Sequence, residues 1–181
     1  MRIQIFFVES SDTCPCPCCQ APLKHRDYKR RIMKLEGGEK RVLRVERRIC
    51  TNDGCKRIHT VLPDCVVPYK HYASEVIAGV LDDIVTPDDA DTEDYPCEAT
   101  MYRWKHWLMM NYLRMEGYLK SIGHRLLGLE KELLVSTVSL LEKLRLSNDR
   151  WLEAIFRMIY NSGGFLLHKK DVGSKTPAPV T

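Results

Sequence analysis

The chain has 181 residues, 44% of them apolar, and a formal charge of +4. This length suits one domain or two small ones, and the change of pattern described below points to two. No run approaches the roughly 20 apolar residues of a membrane span, and Ile3 to Val8 is too short before Glu9 for a signal peptide, so a soluble, cytoplasmic protein is expected. Thiols stay reduced in that compartment, so the eight cysteines point to metal binding and not to a disulfide framework.

Charge is unevenly spread. Residues 24–57 hold 13 Lys or Arg against 5 Asp or Glu, whereas residues 82–98 hold 8 acids and no base. A basic block beside a metal site suits a polyanionic partner, although many basic faces are merely solvated.

In chain order, Arg2 to Val8 reads as a strand rich in Ile, Phe and Val. After the first cysteines come two β-like runs, Arg31 to Leu35 and Arg41 to Ile49. Gly37-Gly38 between them can supply the positive φ of a hairpin turn. Leu43, Val45 and Ile49 alternate with Arg44, Glu46 and Arg48, the period of a half-exposed strand.

The hairpin lies between two cysteine pairs. Cys16-Pro17-Cys18-Cys19 is a CxxC pair, and Cys50-Thr51-Asn52-Asp53-Gly54-Cys55 is a CxxxxC pair whose Asn-Asp-Gly provides a turn. Cys16, Cys19, Cys50 and Cys55 can therefore give one Zn(2+) ion four thiolates, a structural site with no open position for catalysis. Cys14 and Cys18 leave the ligand register open, and His59, four residues beyond Cys55, is a further candidate. A strand followed by Cys-Pro-x-Cys also resembles the glutaredoxin active site, a thiol oxidoreductase. That reading leaves the second pair unexplained and requires a helix where Pro22 and the basic hairpin follow.

Beyond Pro63 and Pro68 the periodicity becomes helical. Val76, Ile77, Val80, Leu81 and Ile84 follow a Ser74 cap in a helix over residues 74–85. Thr86-Pro87-Asp88-Asp89 starts a short helix, and Pro96-Cys97-Glu98 starts a longer one with Met101, Trp104, Leu108 and Tyr112 inward. Leucines from Leu126 to Leu144 repeat at nearly seven residues, as in a helix packed along another. Ser147-Asn148-Asp149 caps a last helix ending at Gly163-Gly164, and residues 169–181 read as a disordered tail. The expected organisation is α+β: a β zinc ribbon with its basic hairpin over residues 1–68, then a helix-turn-helix and C-terminal helices over residues 69–168.

The three helices from residue 74 onward have the order of a helix-turn-helix, whose last member enters the DNA major groove. On that reading Thr100, Arg103 and Lys105 face bases or backbone, while Arg30, Arg31, Arg44 and Arg48 of the hairpin contact phosphates. An ordinary helical bundle with solvated polar faces fits the same periodicity.

Several segments together resemble a bacterial family of unknown function: Cys16-Pro17-Cys18-Cys19, Arg47-Arg48-Ile49-Cys50, Cys55-Lys56-Arg57-Ile58-His59, Val67-Pro68-Tyr69-Lys70 and Cys97 to Lys105. The resemblance implies a zinc ribbon plus helix-turn-helix, similar to the N-terminal DNA-binding region of insertion-sequence transposases. It implies a mobile-element context and no established activity.

No Gly-rich phosphate loop, HExxH pair or nucleophile elbow occurs, and the acids cluster instead of spreading over an α/β nuclease core, so no enzyme is expected. The expected function is double-stranded DNA binding, as a transposition accessory factor or transcription regulator. The alternative is a module that binds a transposase or recombinase subunit without touching DNA. A homodimer through the C-terminal helices is left open.

Overall fold

A computed structural model describes residues 5–8, 14–89, 95–127 and 137–167, with side chains of the third stretch described to residue 124. The expected tail over 169–181 lies outside these residues. The architecture is mixed α+β: a four-stranded sheet followed by helices.

The sheet is built on a long hairpin. Strand β2 (Leu23–Lys34) pairs antiparallel with β3 (Lys40–Cys50) from Leu23 opposite Cys50 to Lys34 opposite Lys40, with the register shifted by one residue between His25 and Asp27. β2 therefore starts eight residues before the run expected at Arg31, because charged residues on an exposed strand obscure its period in sequence. The turn places Gly37 and Gly38 at φ of 74° and 73°, the left-handed region that the paired glycines supply. Along the other edge of β3, β1 (Ile5–Phe7) pairs parallel with Val42 to Arg44, and β4 (Ile58–Thr60) pairs antiparallel with Arg47 to Ile49.

Alternation decides which face is buried. Met33, Leu43 and Val45 pack on Val66, Ala73 and Val76, so the helical half covers one face of the sheet. The segment around residue 68 is a packed seam: Lys34 N–H donates to His71 (2.7 Å), Ala73 N–H donates to Lys34 (2.8 Å), and Ser74 N–H donates to Cys65 (3.0 Å). The Arg31 guanidinium bonds the carbonyls of Val67 (2.9 Å) and Lys70 (2.8 Å).

Helix α1 (Ser74–Leu81) is short. Its cap is Ala73, not Ser74; the buried Ser74 hydroxyl instead donates to the Glu153 carboxylate at 2.6 Å. Asp83 takes a positive φ of 58° just past the helix end, and Ile84, expected inward, is 76% exposed. Arg145 holds that end through the Leu81 carbonyl (2.9 Å) and Asp82 (2.7 Å), which also accepts the Trp151 indole N–H at 2.8 Å.

The segment at Thr86 forms only a 3-10 turn over Pro87–Asp89. Helix α2 (Glu98–Leu127) is then 30 residues long, with Met101, Trp104 and Leu108 buried as its stripe requires. Ser139 caps a separate helix α3 (Leu140–Ser147), accepting from Glu142 N–H at 3.0 Å. The leucines from 126 to 144 are thus not one continuous helix, since residues 137–139 are non-helical. Helix α4 (Trp151–Asn161) buries Trp151, Leu152, Ile155, Phe156 and Ile159 against α1 and α2, and Asn148, the C-cap of α3 and not the N-cap of α4, ties its entry by accepting Arg150 N–H at 2.8 Å.

Glu116 on α2 is 8% exposed and accepts from the amides of Leu141 (2.7 Å) and Leu140 (3.1 Å) and from the Ser139 hydroxyl (2.5 Å). It thereby satisfies the open donors at the start of α3 and places a negative charge at the positive end of that helix. Glu116→Ala is expected to lower unfolding free energy by about 2–3 kcal/mol, because buried amides lose a charged partner. Urea denaturation measures this, and Glu116→Gln, which keeps an acceptor, should recover part of the loss.

Candidate metal centre

Both cysteine pairs sit in turns of matching backbone geometry. In the first, Cys16 N–H donates to Ala21 (2.8 Å), Gln20 N–H donates to Cys16 (2.7 Å), and Gln20 has φ of 61°. In the second, Cys50 N–H donates to Arg57 (2.9 Å), Cys55 N–H donates to Asn52 (3.0 Å), and Lys56 has φ of 46°. In each, the residue after the second cysteine is left-handed, which folds the chain back so that two sulfurs point the same way. The Asn52 side chain fixes the longer loop by accepting Gly54 N–H at 2.9 Å.

The hairpin brings the two turns together, because β2 leaves the first and β3 enters the second. Thr51 clasps them, its N–H and hydroxyl both donating to the Pro22 carbonyl at 3.1 and 2.9 Å. The sulfurs of Cys16, Cys19, Cys50 and Cys55 all lie within 4.8 Å of one another. Cys16 Sγ is 3.8 Å from Cys55 Sγ, and Cys19 Sγ is 3.4 Å from Cys50 Sγ. A tetrahedron with metal–sulfur bonds of about 2.3 Å has sulfur–sulfur edges of about 3.8 Å, so the four sulfurs fit one ion with small adjustment. All four are free thiols, with Cys16 and Cys50 buried.

Crowded thiols resist charging together. At Cys16 burial raises the pKa, but the Cys18 and Cys19 amides, with hydrogen bonds to Cys19 and His59, outweigh it and lower the value to about 6. At Cys50 burial is the main effect, and hydrogen bonding with the Cys19, Cys16 and Cys55 thiols adds to it, so the value is pushed up to about 12 despite the Asn52 amide. Cys55 is also raised: the Arg57 amide favours its thiolate, but burial and hydrogen bonds with Cys19 and Cys16 outweigh that. One thiolate thus forms readily and opposes the next. A divalent cation removes that opposition, which is why four cysteines so placed can hold a metal.

The remaining candidates lie close by. His59 Nε2 is 3.3 Å from Cys16 Sγ, and Cys18 accepts from Arg57 at 3.2 Å; Cys16, Cys18 and His59 form a second close group that shares Cys16. Cys14 is exposed. A strand, not a helix, follows the first pair. At the base of the site, a Cβ on Gly163 would lie 2.5 Å from the Pro17 carbonyl oxygen, so the end of α4 abuts the first turn.

The residues expected at DNA are dispersed. Arg30 is exposed opposite Arg44, whose guanidinium carbon stacks 4.3 Å from the Tyr28 ring centroid. Arg48 bonds Glu46 at 2.8 Å. Arg31 faces inward and is committed to the seam; alternation alone could not show this, because the accepting carbonyls come from a distant loop. On α2, Arg103 bonds Thr100 Oγ1 (2.6 Å) and the Ala99 carbonyl (3.0 Å), and the Lys105 ammonium pairs with Asp83. Among the described residues no helix is long and apolar enough to cross a membrane.

Residues 16–104 match a family described as a domain of unknown function (DUF6431). The match starts at the first cysteine of the site and ends on α2, so it takes in both turns, most of the sheet and α1. No curated protein and no solved structure matches the chain significantly.

An ion held by these four sulfurs would contribute folding free energy, so Cys50→Ser is expected to abolish metal binding and much of the secondary structure of the sheet. Cys18→Ser and His59→Ala should keep one equivalent of metal per chain. Metal analysis with circular dichroism checks both, and full metal retention in Cys50→Ser would refute the ligand set.

Proposed function

We propose that the ion is structural zinc and that the sheet is a zinc ribbon within a DNA-binding protein, either a transposition accessory factor or a transcription regulator. The observation that carries this reading is the closed four-sulfur site at the end of a hairpin whose open face is cationic. Four thiolates leave the metal no position for substrate, so the ion serves the fold, and the fold presents charge. The mobile-element context is what the sequence resemblance implies and rests on that resemblance alone.

In this mechanism zinc orders the hairpin, and Arg30 and Arg44 contact phosphates, whereas Arg48 is taken up by Glu46. Arg31 has no part in it, since its guanidinium faces inward and its Nη2 is held by the seam carbonyls. Helix α1, the 3-10 turn and the first turns of α2 act as a helix-turn-helix, with Thr100 and Arg103 at base edges. Arg103 must then exchange its bond to Thr100 for one to a base, at little net cost because both states hydrogen-bond it. Lys105 reaches a phosphate only by leaving Asp83, so its contribution is the smallest of the set.

A second reading is favoured by Met109, Met110 and Leu113, which stand exposed along α2. Apolar side chains in such a row suit a protein surface, whether a recombinase subunit or a second copy of this chain.

Duplex DNA binding is expected to weaken with salt, Arg30 and Arg44 each adding about −0.9 to the log–log slope, or roughly 12-fold in total between about 50 and 200 mM. Titration of the zinc-loaded chain against a random duplex pool measures this. Affinity indifferent to salt would sink the mechanism, and recovery of a protein complex without DNA affinity would favour the second reading.

A further inference from the structure

The sheet face turned away from the helices bears a row of flat groups, and we propose that it is a stacking platform for the unpaired bases of single-stranded nucleic acid. The proposal rests on reading the chain as a nucleic-acid-binding protein and adds a second kind of partner to it.

Cross-strand partners share a face, and the register sets Phe7 beside Arg44, Arg44 beside Arg30, and Tyr28 beside Glu46. The Arg44 guanidinium carbon lies 5.1 Å from the Phe7 ring centroid and 4.3 Å from that of Tyr28, and the His25 ring lies 4.9 Å beyond Tyr28. Phe7, Arg44, Tyr28 and His25 thus form a continuous row across β1, β3 and β2. Phe7 is 63% and Tyr28 48% exposed, with no described element packed over them.

A merely solvated sheet face would carry polar side chains at these positions. Here aromatic rings and guanidiniums alternate. The local charge is positive, because the Glu46 carboxylate is taken up by Arg48 at 2.8 Å and His25 at 3.0 Å, which leaves Arg30 and Arg44 to set the sign. A ligand complementary to this face needs both π surfaces and anions at short, regular intervals. Nucleotides supply both, whereas an acidic protein surface supplies anions without the flat partners. The bases must be unpaired, since a duplex keeps its base faces inside its own stack.

The test uses the full zinc-loaded chain and fluorescence anisotropy with two labelled probes, an oligothymidylate of about 12 nucleotides and a duplex of the same length. Wild type is expected to bind the oligothymidylate. Phe7→Ala and Tyr28→Ala should each weaken that binding roughly tenfold, Tyr28→Phe should restore it, and duplex affinity should change less than about twofold. Circular dichroism and metal content verify that the variants are folded, as expected for exposed side chains. Oligothymidylate affinity unchanged in the Phe7→Ala/Tyr28→Ala double variant overturns the platform. So does a wild type that binds duplex alone, which would leave the face to a protein partner and the duplex reading intact. A wild type that binds neither probe overturns both readings.

Discussion

Four sulfurs from two distant turns must meet at one point, and this constraint organises the rest of the molecule. Cys16 and Cys19 precede β2, while Cys50 and Cys55 follow from the end of β3, so their convergence requires Leu23 to lie opposite Cys50. Between His25 and Asp27 the extra residue Arg26 already shifts the register by one, and any further slip between there and the turn would exchange the hairpin's two faces. The sulfur cluster and the glycine turn therefore pin the hairpin from opposite ends. Between them they determine that Leu43 and Val45 face the helices while Arg44 and Glu46 face away.

On the covered face, polar groups accomplish what a thin apolar core cannot. Arg31 joins the sheet to the loop before α1, Ser74 joins α1 to Glu153 on α4, and Glu116 joins α2 to the start of α3. Each is partly or wholly buried, so each bond is less screened than it would be in water, and each fixes one element relative to another. The closeness of Gly163 to Pro17 extends this fixation to the metal site, because the end of α4 rests on the first cysteine turn. Disruption of the four-sulfur cluster would therefore be felt in the helices as well as in the sheet.

The uncovered face offers the contrasting case. Its rings and guanidiniums are left in water, an arrangement that folding alone does not favour and that a polyanionic partner would reward. The proposed roles in duplex and single-strand binding both draw on this asymmetry between the two sides of one sheet. Helix α2 offers a separate surface, where Arg103 bonds Thr100 and which the proposed duplex reading assigns to base edges.

The sequence by itself determined the hairpin, its glycine turn, the paired cysteines and the buried stripes of α1, α2 and α4. These follow from local rules: alternation of period two, helical period, turn chemistry and ligand spacing. Only the tertiary structure decided which of several cysteines converge, since Cys16 and Cys18 belong to overlapping groups in a run that permits several registers. It also decided that Arg31 is a structural tie, that Ser74 bonds a carboxylate instead of capping α1, that Ile84 lies beyond the helix, and that Phe7, Arg44 and Tyr28 form one row. The physical reason is common to all of them. Each depends on a partner far away in the chain, whose position is fixed only when the register and the packing seam have formed.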